Sequence, residues 1–268
     1  EPLSTLGSKL WDTLDLAPYY SQEDLNSHIL QHRFHPQSEI KGLPPRMWEN
    51  VISVLPGDTN YQILNALENG AEGLVLHISG FEDLGQLLSG VLPQYISIFV
   101  SPVGNPVFAL KAFLEWADST GAAFDSIKGG MLWTPSDLVF ENQESFGLGS
   151  EILAELLEMT EPYSEFKAFC IKTSRYSESG GNPLDALVLA LGELIELVDS
   201  LDLSPAVILS KVFLEAAVAE NYFGEIARMK AFRLAFSQLA SLYGFELKQE
   251  QIFLFCKTAH WSKSILDA

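Results

Sequence analysis

The sequence predicts an α/β fold: a TIM-like (β/α)8 barrel, truncated after its seventh strand and preceded by an N-terminal arm. From Trp48 onward, short apolar runs alternate with amphipathic segments of helix length, a pattern typical of repeated strand and helix units. The length of 268 residues suits such a barrel, which needs about 250. We therefore expect an arm over 1–45 and a barrel domain over 46–268 that is incomplete at its C-terminus.

The apolar runs predict parallel strands because several of them are apolar on both alternating faces. These runs cover 51–55, 73–78, 95–100, 129–134, 166–173, 211–219 and 252–258. The predicted helices between them cover 61–69, 81–92, 107–120, 149–160, 184–201 and 222–244. Right-handed crossovers between such strands would curl the sheet into a barrel. We expect the last helix to pack through Phe223, Ile226, Ala227 and Ala231, which recur at helical spacing.

The arm does not repeat the later pattern, and it contains a short helix opened by Ser21. His28, His32 and His35 follow at helical spacing, so a metal site is conceivable. No thiolate lies nearby and Pro36 ends the segment, which favours solvated or capping histidines.

Composition restricts the class of partner. A formal charge of −19 and an isoelectric point near 4.5 argue against nucleic acid and anionic membranes, which attract clustered Lys and Arg. The chain has no basic leader and no apolar run near the ~20 residues of a membrane helix. Cys170 and Cys256 each lie in an apolar run, which predicts buried thiols in a reducing compartment. We expect a cytoplasmic protein.

Several segments resemble the methylmalonyl-CoA mutase family. The segment YFGEIARMKAFRLAFSQL (222–239) resembles the family's F-F-x-E-I-A-K-x-R-A-x-R-x-L-W, and RYSESGGNPLDALVLALG (175–192) resembles its Y-x-E-A-G-A-x-x-x-x-E-L-A-x-A-L. The segments APYYSQEDL, RMWEN and IFLFCKTAHWS resemble its arm, its R-x-W and its seventh strand. The resemblance spans almost the whole chain. It points to the barrel portion of the small, or beta, subunit of heterodimeric mutases.

Residues that the resemblance assigns to catalysis are replaced. Ser174 and Arg175 occupy the positions of the active family's Tyr-His pair, and neither a short hydroxyl nor a permanent cation can replace a phenol and an imidazole. Of the family's R-x-W-T-x-R substrate segment, Arg46 remains as a substrate-binding remnant, whereas Glu49 replaces Thr. A carboxylate at that position would repel the phosphates of an acyl-CoA. The resemblance therefore implies no catalytic residue in this chain.

The resemblance also implies that the catalytic barrel is lined by small polar residues, so that the pantetheine arm can pass along its axis. The strands of this chain instead carry Tyr95, Phe99, Met131, Trp133, Phe169, Phe213, Phe253 and Phe255. The family's cobalt-binding Asp-x-His-x-x-Gly is matched only by His77 and Gly80, with Val75 in place of Asp. We expect no cofactor and no metal on this chain, and adenosylcobalamin held by the catalytic partner.

Three other features of the sequence are candidate binding or catalytic sites. The junction Gly149-Ser150-Glu151 could be an anion-binding helix N-terminus or only a helix start. Glu178 and Asp185 could form an acid/base pair, but the turn between them gives no fixed geometry, so solvated carboxylates are favoured. Glu215 is a charge inside an apolar strand, for which an ion pair with an Arg is favoured over a catalytic role.

The resemblance implies a non-catalytic subunit that stabilises and assembles with the catalytic large (alpha) subunit, which interconverts methylmalonyl-CoA and succinyl-CoA. No nucleic acid or membrane partner is expected, and a homodimer is possible in isolation. One alternative is a barrel that binds acyl-CoA or is an isomerase by itself. Another is a truncated fragment without a function of its own.

Overall fold

The structure, a computed structural model, describes residues 6–24 and 48–259. The chain divides into two compact units. The first is formed by Glu1–Pro45, Thr173–Gly192 and Ala216–Ala268, and the second by Arg46–Lys172 and Glu193–Glu215. The predictions that concern Arg46, His28, His32 and His35 fall outside the described residues.

The order of elements alternates as the sequence predicts. The strands are β1 (Ser8–Leu10), β2 (Leu14–Leu16), β3 (Val51–Val54), β4 (Gly73–Ile78), β5 (Ser97–Pro102), β6 (Lys128–Met131), β7 (Phe166–Lys167), β8 (Phe169–Lys172), β9 (Val212–Val218) and β10 (Leu254–Thr258). The helices are α1 (Asn60–Glu68), α2 (Leu84–Leu87), α3 (Pro106–Ser119), α4 (Pro135–Asn142), α5 (Phe146–Met159), α6 (Thr173–Glu178), α7 (Pro183–Ser200), α8 (Pro205–Ser210) and α9 (Tyr222–Leu242). Within the described ranges, no helix has the length and apolar character needed to cross a membrane.

The second unit is built on parallel strands that neighbour one another in chain order. β3, β4, β5, β6 and β7 form one ladder, and β8 pairs with β9 in parallel. Strand β4 is buried at nearly every position, as expected of a parallel strand covered on both faces. The predicted α/β class and the parallel pairing of these strands are confirmed.

The ladder is interrupted at Ala168, which separates β7 from β8. The backbone N–H groups of Ala168 and Phe169 both donate to the Lys211 carbonyl oxygen, at 2.8 and 3.4 Å. One step further, the Cys170 N–H donates to the Trp133 carbonyl oxygen at 3.0 Å, so pairing continues beyond the break. Two residues opposite one define a β-bulge, which changes the face to which the following side chains point.

The two faces of this sheet carry different residues. The ring centroids of Phe99 and Phe213 lie 6.0 Å apart, and a Cβ built on Gly130 would lie 2.8 Å from Phe213 Cε1. These three residues therefore share one face, which we call the inner face. On the opposite face, which we call the helix face, Phe166 stacks on Phe113 of α3 with centroids 5.2 Å apart.

Three helices were not predicted from the sequence: α4, α6 and α8. The prediction of a loop before Gly149 is wrong, because α4 and the start of α5 occupy that segment. The missed signal at α4 is local. Thr134 precedes Pro135 at the first helical position, and Asp137 completes a capping box with Thr134.

The first unit contains the β1–β2 hairpin and the segment around α9. The Asn182 side chain donates to the Trp11 carbonyl oxygen at 2.7 Å and to Thr13 Oγ1 at 2.5 Å. Gly224, near the start of α9, leaves room for the Trp11 ring, since a Cβ there would lie 3.0 Å from Trp11 Cζ2. These contacts attach the tip of the hairpin to Asn182 and to the start of α9.

The predicted packing face of α9 is wrong. Phe223 is 81% exposed and Ile226 is 39% exposed, and Ala227 is also exposed. The buried residues of the helix are Gly224, Glu225, Arg228, Phe232, Phe236, Leu239 and Ala240. Glu225 and Arg228 can be buried because Arg228 Nε donates to Glu225 Oε2 at 2.9 Å, while Arg228 Nη2 donates to the Ala217 carbonyl oxygen.

The first prediction concerns this buried ion pair. We expect Arg228→Met to lower the free energy of unfolding by about 3–5 kcal/mol, because it leaves the Glu225 carboxylate buried without its cation. The double variant Glu225→Gln/Arg228→Met should be more stable than Arg228→Met alone. Urea denaturation measures both. The matched control is Lys230→Met on the exposed side of α9, and an equal loss in that control would contradict the prediction.

Candidate functional site

Polar side chains of the second unit meet at the carboxyl ends of its strands, the end at which barrel enzymes bind substrate. We call Thr134, Asp137, Lys172, Glu193 and Glu215 the buried polar cluster. Lys172 Nζ donates to Asp137 Oδ2 at 2.8 Å, and Thr134 Oγ1 donates to Glu193 Oε1 at 2.5 Å. Only Lys172 is appreciably accessible, with 23% of its side chain exposed.

The local sequence explains this arrangement. The Asp137 carboxylate is held by the capping box of α4, where the Thr134 N–H donates to the same oxygen, Oδ2, at 3.0 Å. Lys172 and Glu215 are register partners on β8 and β9, so their side chains share a face. Two residues before them, Cys170 pairs with Phe213, which assigns Lys172 and Glu215 to the inner face. The bulge at Ala168 is what directs Cys170 and Lys172 there.

The electrostatics of the cluster disfavour nucleophilic catalysis by Cys170. Burial raises the pKa of the Cys170 thiol well above its usual value, and the nearby carboxylates of Asp137, Glu193 and Glu215 raise it further against Lys172. A protonated, buried thiol is inert.

The centre of the inner face is filled rather than open. Phe99 and Phe213 are 1% and 0% exposed, and they meet across Gly130. Two other bulky strand residues predicted to line an interior, Met131 and Phe169, point to the helix face, because Met131 pairs with Val100 and Phe169 with Val212. Trp133 is 3% exposed and Tyr95 is 78% exposed. Phe253 and Phe255 belong to the first unit.

Comparison with known protein families identifies the family of this chain. The methylmalonyl-CoA mutase family matches residues 55–268. The chain belongs to the methylmalonyl-CoA mutase family. A protein of Porphyromonas gingivalis (strain ATCC BAA-308 / W83) named methylmalonyl-CoA mutase small subunit is 23% identical over 288 residues. That match covers 97% of this chain and 45% of the relative, so the chain spans under half of the relative's length.

The structure describes three of the mutase positions predicted from the sequence, namely Ser174, Arg175 and Glu49. Ser174 is 3% exposed and lies in α6, which begins directly after β8, and Arg175 follows it. Glu49 lies at the opposite, amino end of the sheet, where its Oε2 accepts a hydrogen bond from Ser97 Oγ at 2.5 Å. This carboxylate therefore binds the first residue of β5.

His77 lies near the carboxyl end of β4, beside a cleft of about 500 Å³. Burial lowers the pKa of its imidazole. Val75, which stands where the mutase motif has Asp, is apolar and 5% exposed. Among the residues that the structure describes, no group of three or more His, Cys, Asp or Glu side chains is arranged to hold a metal ion.

The remaining sequence candidates have structural explanations. The junction at Gly149 is not a helix start, since α5 begins at Phe146 after the cap Ser145. Gly149 instead allows α4 and α5 to approach, because a Cβ there would lie 2.7 Å from Pro135 Cβ. Glu178 forms an ion pair with Lys257 at 3.3 Å.

Glu215 is 3% exposed and lies beside Lys172, and its pairing with an Arg stays a prediction. Asp137, Lys172 and Glu193 were not predicted from the sequence. The Thr134-to-Asp137 capping box was the one local signal that could have indicated part of the cluster.

The second prediction uses the two thiols. Cys170 is buried, whereas Cys256 is exposed, so the expectation that both are buried is wrong for Cys256. We expect an aromatic disulfide reagent at pH 8 to modify Cys256 in the native protein and Cys170 only after denaturation, because its raised pKa and its burial both withhold the thiolate. Absorbance of the released thiolate measures this. Cys256→Ser is the control, and rapid native modification of that variant would contradict the prediction.

Proposed function

We propose that this chain is a non-catalytic subunit of a heterodimeric, adenosylcobalamin-dependent methylmalonyl-CoA mutase. Its partner is the catalytic large subunit, which interconverts methylmalonyl-CoA and succinyl-CoA. The observation that carries the proposal is the inner face, where Phe99 and Phe213 meet across Gly130. Substrate threading along the sheet axis requires space at that layer, and these rings occupy it.

The proposed architecture is a (β/α)8-type barrel over 46–268 with an arm over 1–45. The contact between Phe99 on β5 and Phe213 on β9 supports curvature of the sheet. Three strand spacings of about 4.8 Å would separate these side chains by about 14 Å in a flat sheet. Their centroids are 6.0 Å apart, which requires the intervening strands to curl around the inner face.

The replaced catalytic positions support the same proposal. Ser174 offers no aromatic ring and is buried in α6, and Arg175 is a permanent cation in place of a titrating imidazole.

The residues of this chain do not fit the corrin cofactor. A metal-binding imidazole needs a carboxylate or carbonyl partner to fix its tautomer and raise its basicity. Position 75 provides an apolar Val, and burial lowers the pKa of His77. We therefore assign adenosylcobalamin to the catalytic partner and no catalytic step to this chain.

The third prediction tests subunit function. Co-expression with the large subunit of a mutase from the same genome should give a stable complex, and this chain alone should show no mutase activity with adenosylcobalamin and methylmalonyl-CoA. Size-exclusion chromatography and the melting temperature of the large subunit measure association. A large subunit that neither binds this chain nor changes in stability or turnover would overturn the proposal.

The fourth prediction separates this function from acyl-CoA binding. Calorimetric titration with methylmalonyl-CoA should give no heat of binding to this chain alone. Phe213→Ala removes one of the two rings that fill the inner face. Tyr95→Ala is the matched control, because it removes an exposed ring. Tight binding to the unmodified chain, abolished by Arg46→Ala, would instead support an acyl-CoA-binding barrel.

A further inference from the structure

Lys211 is a buried cation at the amino ends of the strands, directly before β9. It is 9% exposed. Its Nζ donates to the carbonyl oxygens of Thr160 and Tyr163, each at 2.6 Å, and of Phe166 at 3.4 Å. All of these residues belong to the second unit. Three carbonyl oxygens therefore converge on one ammonium group.

Convergent backbone carbonyls are the oxygen ligands that hard cations use in proteins. Thr160 is the C-cap of α5, a helix of 14 residues, and a helix C-terminus carries partial negative charge that favours a cation. Tyr163 lies in the short connection between α5 and β7, and Phe166 is the first residue of β7. The end of α5, the connection and the start of β7 thus direct three carbonyl oxygens toward Lys211 Nζ.

The group at that point is charged at neutral pH. Burial lowers the pKa of Lys211 to about 8, with Lys167 lowering it further and Glu161 and Glu165 opposing the shift. This pKa lies above 7. Lys167 is engaged elsewhere, because its Nζ donates to the Ser210 carbonyl oxygen at 2.8 Å.

We propose that the carbonyl oxygens of Thr160, Tyr163 and Phe166 form a monovalent-cation cage that the ammonium of Lys211 occupies permanently. Removing the Lys211 side chain creates a site for a free monovalent cation that can satisfy the same oxygens. Ammonium and methylammonium reproduce the N–H donors of the lysine. Potassium reproduces only its charge.

The cage has a consequence at the other end of the sheet. The carbonyl oxygen of Lys211 accepts the N–H groups of Ala168 and Phe169, so this residue holds the bulge with its backbone and the preceding turn with its side chain. The bulge directs Cys170 and Lys172 to the inner face. Lys211 is therefore a positioning residue for the buried polar cluster.

The test is chemical rescue of Lys211→Ala in the full chain. Melting temperature is measured in chloride salts of equal ionic strength: methylammonium, ammonium, potassium and tetramethylammonium. We expect Lys211→Ala to melt lower than the unmodified protein by about 5 °C or more in tetramethylammonium. Methylammonium should restore at least half of that loss. The unmodified protein should not distinguish the salts, because its cage is already filled.

Lys167→Ala is the matched control, since it removes a neighbouring lysine that bonds one carbonyl oxygen outside the cage. It should lose stability without discriminating between methylammonium and tetramethylammonium. Equal melting temperatures of Lys211→Ala in all four salts would overturn the proposal.

A second measurement keeps the test decisive if Lys211→Ala folds poorly. Refolding from urea in methylammonium should then yield more soluble protein than refolding in tetramethylammonium, and no difference in yield would count against the cage. In the folded variant, Cys170 should react with a thiol reagent faster in tetramethylammonium than in methylammonium. A variant that is merely less stable, without a cage, would not show this dependence on the cation.

Discussion

The interruption of the parallel ladder at Ala168 is the constraint on which the rest of the second unit depends. Without the extra residue, strict alternation would direct Lys172 to the same face as Phe166, among the helices. With it, Cys170 and Lys172 share the inner face with Phe213. A buried charge needs a partner, and the bulge places Lys172 where it donates to Asp137 and pairs in register with Glu215.

The inner face has two layers with opposite character. Phe99 and Phe213 fill the middle, where a catalytic mutase barrel is expected to leave space, and charged groups follow toward the carboxyl ends. The aromatic layer needs Gly130, because any side chain there would collide with Phe213 Cε1. The aromatic layer and the charged groups therefore occupy successive levels of the same face.

Much of the fold could be predicted from the sequence, because apolar runs of β4, β5 and β9 report burial directly. The packing face of α9 could not. Hydrophobicity assigned Phe223 and Ile226 to the interior, whereas the structure buries Glu225 and Arg228, whose charges compensate each other. Such compensation depends on geometry and leaves no periodic signal. The bulge at Ala168 could not be predicted either, because the sequence FKAFCIKT has the pattern of one continuous strand. The polar cluster joins residues from four elements or their ends, so only its capping box was local enough to recognise.

Family membership and chemistry rest on different residues of this chain. The segment that carries the mutase resemblance, around Glu225 and Arg228, is used for a buried ion pair that fastens α9 to the Ala217 carbonyl oxygen of β9. Such a contact constrains the backbone, and it is needed whether or not the barrel binds a substrate. The family resemblance of α9 therefore reports how this helix is packed, and it carries no argument for or against catalysis.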